Sequence, residues 1–301
     1  MKRIIFFNLM VVVLLFGCTT AVTNINNPKI ENPDIITTTA INEAKAVALF
    51  IPGLNLKFQK MDAISKILED EKIIVIKVKF NSNLNSSDDV FNNWSRDVEQ
   101  GYNTARNLMA TIPSKNNPKL ILVGYSLGAA LGLELGLRPG LNIKRNYIYD
   151  KMILLAPAIT LQWYTSLIKI LYIFGDKMMI TSRNHPDYIE KSGTYIAEYK
   201  ALFRVINEIE EMEQMGGALN IPSLLLMDPD DELIDYSKTK QFIEKRSLNK
   251  WKVVEVIKDK ELDRIAERKN LPKHLIVDEF SMGTAGWKKI KDELISFVNR
   301  D

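Results

Sequence analysis

The sequence is poor in residues on which several classes of protein depend. Cys18 is the single cysteine among 301 residues, so no disulfide can close within the chain. Only two histidines are present, His185 and His274, and a zinc site built on them would need carboxylate partners; no metal is expected. An excess of charge of one sign is missing too. The 40 Lys and Arg stand against 37 Asp and Glu, and a net charge of +3 without a basic block leaves nucleic-acid binding no electrostatic footprint. Apolar residues are plentiful at 46%, enough at this length to build one large core or two small ones. That excludes a disordered tail and a stapled mini-protein.

An apolar run opens the chain. Met1-Lys2-Arg3 supplies positive charge, and residues 4–16 are apolar apart from Asn8, too short for the roughly 20 residues of a membrane-spanning helix. The segment reads as the core of a signal peptide. It ends Leu15-Phe16-Gly17-Cys18, which resembles the lipobox of bacterial lipoproteins: small Gly17 admits the signal peptidase, and Cys18 would become the lipidated first residue. On that resemblance residues 1–17 are the signal peptide, and the mature chain is a membrane-anchored lipoprotein of a bacterial envelope. Thr19 stands where an aspartate usually retains lipoproteins at the inner membrane, so the outer membrane is expected where the cell has one. Residues 18–43 are rich in Thr, Asn and Pro and lack periodicity, which suits a flexible tether with at most one edge strand near residues 35–38.

The folded domain is then residues 44–301. Short runs rich in Val, Ile and Leu recur at residues 46–51, 73–80, 119–125, 152–156, 223–227 and 251–257. Continuous apolarity predicts strands covered on both faces, hence a mostly parallel sheet. Helical spacing appears between them: Met61, Ile64, Ile67 and Leu68, then residues 90–109, 127–137 and 236–246, and a closing helix with Trp287, Ile290, Leu294 and Phe297 on one face. The alternation predicts an α/β fold, a twisted sheet with helices on both faces. One segment interrupts it. About sixty residues separate the strand at 152–156 from the next; they hold an aromatic stretch around Trp163, Tyr164 and Phe174 and an amphipathic helix with Tyr199, Leu202, Phe203, Ile206 and Ile209 on one face. An inserted helical cap is expected over residues 159–219.

Gly124-Tyr125-Ser126-Leu127-Gly128 follows an apolar strand and opens a helix, the context in which a G-x-S-x-G turn presents a nucleophile. Gly124 and Gly128 remove side chains that would collide where strand and helix meet. A serine hydroxyl is a weak nucleophile and needs a base. His274, between the last strand and the last helix, is the better candidate; His185, in the cap, reads as a solvent-facing residue. The base needs a carboxylate to hold its tautomer. Three aspartates compete in Asp228-Pro229-Asp230-Asp231-Glu232, with Asp231 preferred and Asp228 the alternative. A tetrahedral oxyanion needs two donors, here the N–H of Leu127 and the N–H of Leu54 in the loop after the first core strand.

The order Ser126, Asp231, His274 resembles that of the α/β-hydrolase superfamily. Pro52-Gly53-Leu54-Asn55-Leu56, the serine turn and Tyr199-Lys200-Ala201-Leu202-Phe203 resemble its esterase, lipase and lysophospholipase branch. A serine where the haloalkane dehalogenase and epoxide hydrolase branches carry aspartate disfavours those two. The chain departs from the usual pattern at Pro52, where a histidine is common, and in the charged stretch 258–270 before His274. The resemblance implies a serine hydrolase acting on an ester or lipid-like small molecule without cofactor. A non-catalytic binding module on the same fold, and a thioesterase, acyltransferase or peptidase using the same three residues, remain open.

Overall fold

The computed structural model describes residues 34–36, 39–81, 86–138, 148–182, 184–212, 216–259 and 271–300. The signal segment, Cys18 and most of the tether lie outside the described residues, as does 260–270 of the charged stretch.

The Val, Ile and Leu runs form the sheet. Strands β1 (Asp34–Ile36), β2 (Ala46–Ile51), β3 (Ile73–Lys77), β4 (Lys119–Tyr125), β5 (Lys151–Leu155), β8 (Ser223–Met227) and β9 (Trp251–Glu255) pair in the order β1-β3-β2-β4-β5-β8-β9. Only β1, at the edge, runs antiparallel to its neighbour. The run expected at 73–80 ends at Lys77, where its partner β2 is running out at Phe50.

Successive side chains of a strand point to opposite faces, and two apolar clusters follow from that alternation. Val47, Leu49, Ile51, Leu120 and Leu122 join a cluster with helices α2 (Ser87–Thr111) and α3 (Leu127–Leu137). Ala46, Ala48, Phe50, Ile121 and Val123 join another with α1 (Asp62–Asp70) and α6 (Glu279–Asn299). Helix α5 (Tyr236–Lys245) contributes Phe242 to the first cluster. Every residue of α3 is buried, which explains a sequence apolar all round rather than on one stripe.

The expected insertion divides into two parts. Between β5 and β8, helix α4 (Ile196–Glu211) packs against α2 and α3 and belongs to the layer covering the sheet. Its buried apolar residues are Ile196, Ala197, Ala201, Leu202, Val205, Ile206 and Ile209, whereas Tyr199 and Phe203 are only half-buried. Two alanines face the neighbouring helices because close packing leaves no room for rings, and Phe203 instead turns its face to the Lys169 ammonium, 4.6 Å from the ring centroid. The other part holds the 3₁₀ helix Trp163–Phe174, none of whose residues is fully buried, and the hairpin of β6 (Met179–Thr181) and β7 (Gly193–Tyr195). Loops after β2, β4, β5 and β8 gather at the carboxyl ends of the parallel strands, where open α/β sheets place their sites.

Candidate active site

Ser126 joins β4 to α3 with φ 52° and ψ −116°, a left-handed conformation that costs a side-chain-bearing residue about 1–3 kcal/mol. Leu127, Leu131, Leu133 and Leu135 behind it are fully buried at about 1.5–3 kcal/mol each, so helix packing readily outweighs the strain. The end of β5 holds both sides of the turn: Ser126 N–H donates to the Leu155 carbonyl at 2.9 Å, and Ala158 N–H donates to the Ser126 carbonyl at 3.1 Å. Glycine is required at Gly124 and Gly128. A Cβ on Gly124 would stand 2.4 Å from Ala129 Cα, and one on Gly128 would stand 2.1 Å from the Ile51 carbonyl oxygen. The outcome is a serine partly open to solvent among buried neighbours.

His274 reaches this serine across 148 residues of sequence. Its Nε2 lies 2.9 Å from Ser126 Oγ and its Nδ1 lies 2.8 Å from Asp231 Oδ2. A carboxylate only accepts, so Nδ1 carries the proton and Nε2 is left to accept from the serine hydroxyl. The second oxygen of Asp231 accepts from the N–H groups of Leu233, at 2.7 Å, and Ile234, at 2.9 Å. Burial alone would raise the Asp231 pKa, but His274 and these N–H donors together hold the carboxyl below the ordinary carboxylate value.

The other acids of the loop do different things. Asp228 is buried, accepts from the Asp230 N–H at 2.9 Å and does not meet the imidazole; desolvation pushes its carboxyl pKa up. Asp230 is exposed and pairs with the Lys273 ammonium at 2.6 Å. His185 is elsewhere. Against the expectation of a solvent-facing ring it is half-buried, 6.4 Å from the Tyr188 ring and 6.1 Å from the Phe280 ring, because residues 185–188 fold back onto α6.

The loop after β2 lies against the serine turn. A Cβ on Gly53 would come within 3.3 Å of Ser126 Cβ and 2.6 Å of the Tyr125 ring, and the Pro52 carbonyl faces Gly128. Leu127 directly follows the nucleophile, and Leu54 follows the glycine that lies against it. Leu127 begins α3, so its N–H has no carbonyl four residues earlier within the helix to donate to.

Two further residues shape this end of the sheet. Asn55, with φ 53°, accepts from Lys191 N–H at 2.8 Å and donates to the Lys191 carbonyl at 3.0 Å, fastening the Leu54 loop to the segment before β7. Tyr125, beside the serine, donates its hydroxyl to the His274 carbonyl at 3.2 Å; burial pushes this phenol well above its ordinary pKa and keeps it a donor. The asparagine's conformational tolerance was a local signal, but its partner 136 residues away was not.

No protein-family model matches the chain, and no curated protein matches it by sequence. Solved structures do resemble it. A soluble variant of monoglyceride lipase from Saccharomyces cerevisiae, in complex with a substrate analogue, superposes with a TM-score of 0.64 at 12% identity, covering 94% of this chain and 98% of that one. A monoacylglycerol lipase of Paleococcus ferrophilus gives 0.55 at 15% identity, with 88% and 98% covered. Est1E from Butyrivibrio proteoclasticus gives 0.53 at 13% identity, with 85% and 88% covered. At such identities the likeness speaks for architecture, and the architecture is that of the α/β-hydrolase fold: a mostly parallel sheet with helices on both faces.

Proposed function

We propose that the protein is a serine hydrolase of carboxylic esters, tethered to a bacterial envelope membrane through lipidated Cys18. The observation that carries the reading is the unbroken relay of 2.9 Å and 2.8 Å from Ser126 through His274 to Asp231, on a serine held in a strained turn. Ser126 Oγ attacks the acyl carbon while His274 Nε2 takes its proton, and the N–H groups of Leu54 and Leu127 stabilise the oxyanion. His274 then protonates the leaving alcohol. Water, activated by the same imidazole, releases the acid from the acyl-enzyme. Asp231 orients the ring and stabilises the imidazolium formed on the way.

An apolar acyl chain suits the surroundings. Trp163, Ile170, Ile173 and Phe174 of the 3₁₀ helix are exposed, Ile173 at 81%, and Leu233, whose N–H binds Asp231, is exposed beside the acid. Exposed apolar side chains of this kind suit an apolar occupant. Two of the similar structures are lipases of monoacylglycerols by description. Monoacylglycerols or lysophospholipids are accordingly the favoured substrates.

The test is a panel of p-nitrophenyl esters of rising acyl length beside thioesters and aminopeptides, assayed on the full chain. Ester turnover that improves with acyl length is the expected result; a preference for thioesters or peptides would displace the ester reading. The anchor has its own test. Cys18→Ser is expected to abolish incorporation of labelled palmitate and retention in the membrane fraction, and label persisting in that variant would rule out the lipobox.

A further inference from the structure

The acidic run that leaves the choice of carboxylate open in the sequence has a division of labour. Three successive acids meet two successive residues of the histidine loop. Asp230 takes the Lys273 ammonium, Asp231 takes the His274 ring, and Glu232 takes the backbone. One Glu232 carboxylate oxygen accepts from Lys273 N–H at 2.9 Å and the other accepts from His274 N–H at 3.1 Å. The Glu232 carbonyl in turn accepts from the Tyr164 hydroxyl, and Gln162 Nε2 donates to the carbonyls of Asp231 and Ile234, so the gripping loop is itself fixed.

The histidine needs such a grip on one side only. Leu275, Ile276 and Val277 after it are buried in the sheet's second apolar cluster, and Tyr125 holds its carbonyl. Leu271, Pro272 and Lys273 before it are only half-buried; the Lys258 ammonium donates to the Leu271 and Pro272 carbonyls, which leaves the Lys273 and His274 N–H groups to the Glu232 fork. We propose that Glu232 is a positioning residue: its two-oxygen fork on the Lys273 and His274 N–H groups fixes the imidazole at attack distance from Ser126. Unlike the exposed Asp230–Lys273 pair, whose partner is a flexible side chain, this fork holds the main chain from which the ring projects, while Asp231 sets the ring's rotation. The kinetic consequence rests on the hydrolase reading above; the geometric one does not.

The test compares Glu232→Ala, Glu232→Gln and Asp230→Asn in the full chain. With a short p-nitrophenyl ester, Glu232→Ala is expected to lower kcat about tenfold to hundredfold with KM within about twofold, the size of effect a small misplacement of a catalytic group produces. The melting temperature should hold, since Glu232 is exposed. Glu232→Gln keeps one oxygen as acceptor and should fall between, and Asp230→Asn should match the parent. A second readout is independent of turnover: the downfield proton resonance of His274 Nδ1–H, sharp in the parent, should broaden in Glu232→Ala. A parent that turns over no ester removes the hydrolase reading while this resonance still decides the fork. An unchanged resonance, a kcat equal to the parent, or a loss shared by Asp230→Asn would each overturn the positioning role.

Discussion

Ser126→Ala is expected to reduce ester turnover by a factor of about 10⁴ or more, abolish labelling by a fluorophosphonate and leave the melting temperature within a few degrees of the parent. The three readouts separate chemistry from folding. Alanine removes only Oγ and keeps the Cβ that already tolerates φ 52°, while the backbone bonds to Leu155 and Ala158 that hold the turn do not involve the hydroxyl. On the proposed reading, the oxyanion donors and substrate binding would remain, and in serine hydrolases these still leave a residual rate above that in water. Serine-independent labelling, or turnover near the parent value, would mean that the relay to His274 is a structural hydrogen bond and that the fold serves as a binding module.

Much of the sheet is legible in the sequence because its signal is local. Strands β2, β4 and β8 and helix α3 have the bounds that their apolar runs imply, since a strand covered on both faces is continuously apolar through its middle. Ser126 is legible for the same reason: strand, glycine, serine, glycine and helix are contiguous. The remainder depends on contacts between distant segments. Periodicity counts Tyr199 and Phe203 as core because they are large and apolar, but the face of α4 that meets α2 and α3 is chosen by what fits, and Ala197 and Ala201 fit. Pro52 stands where the resemblance leads one to expect a histidine, and a proline there gives no local sign of the loop's shape. In the structure its carbonyl packs on Gly128 and the loop is held from Asn55 by Lys191. Composition likewise treats Asp228, Asp230 and Asp231 alike. Which of them meets the imidazole is decided by the rotation of the chain after β8, where Asp228 turns into its own loop and Asp231 points at the ring.

That rotation gives Asp231→Asn and Asp228→Asn opposite expected outcomes. In Asp231→Asn the amide oxygen can still accept from Leu233 and Ile234, so the loop should persist. The amide nitrogen, however, donates toward His274 Nδ1 and favours the tautomer whose Nε2 carries the proton. An imidazole in that state cannot take the proton of Ser126, and kcat is expected to fall by about 10⁴. Asp228→Asn changes no atom of the relay and should leave kcat near the parent value. Stability against pH separates the two again. The folded-state pKa of Asp231 is depressed, so its contribution is present above the ordinary carboxylate value and is lost as pH falls through the lower, folded one. The folded-state pKa of Asp228 is raised, so its carboxyl stabilises the fold while protonated and loses that contribution as pH rises through the higher value. Melting temperatures measured across the acid range should therefore show Asp231→Asn less stable than the parent at neutral pH and closing the gap in acid. Asp228→Asn should equal or exceed the parent at neutral pH. Should Asp228→Asn be the variant that stops turnover, the acid of the relay would be the other aspartate, and the 2.8 Å contact at Nδ1 would be a resting arrangement rather than the working one.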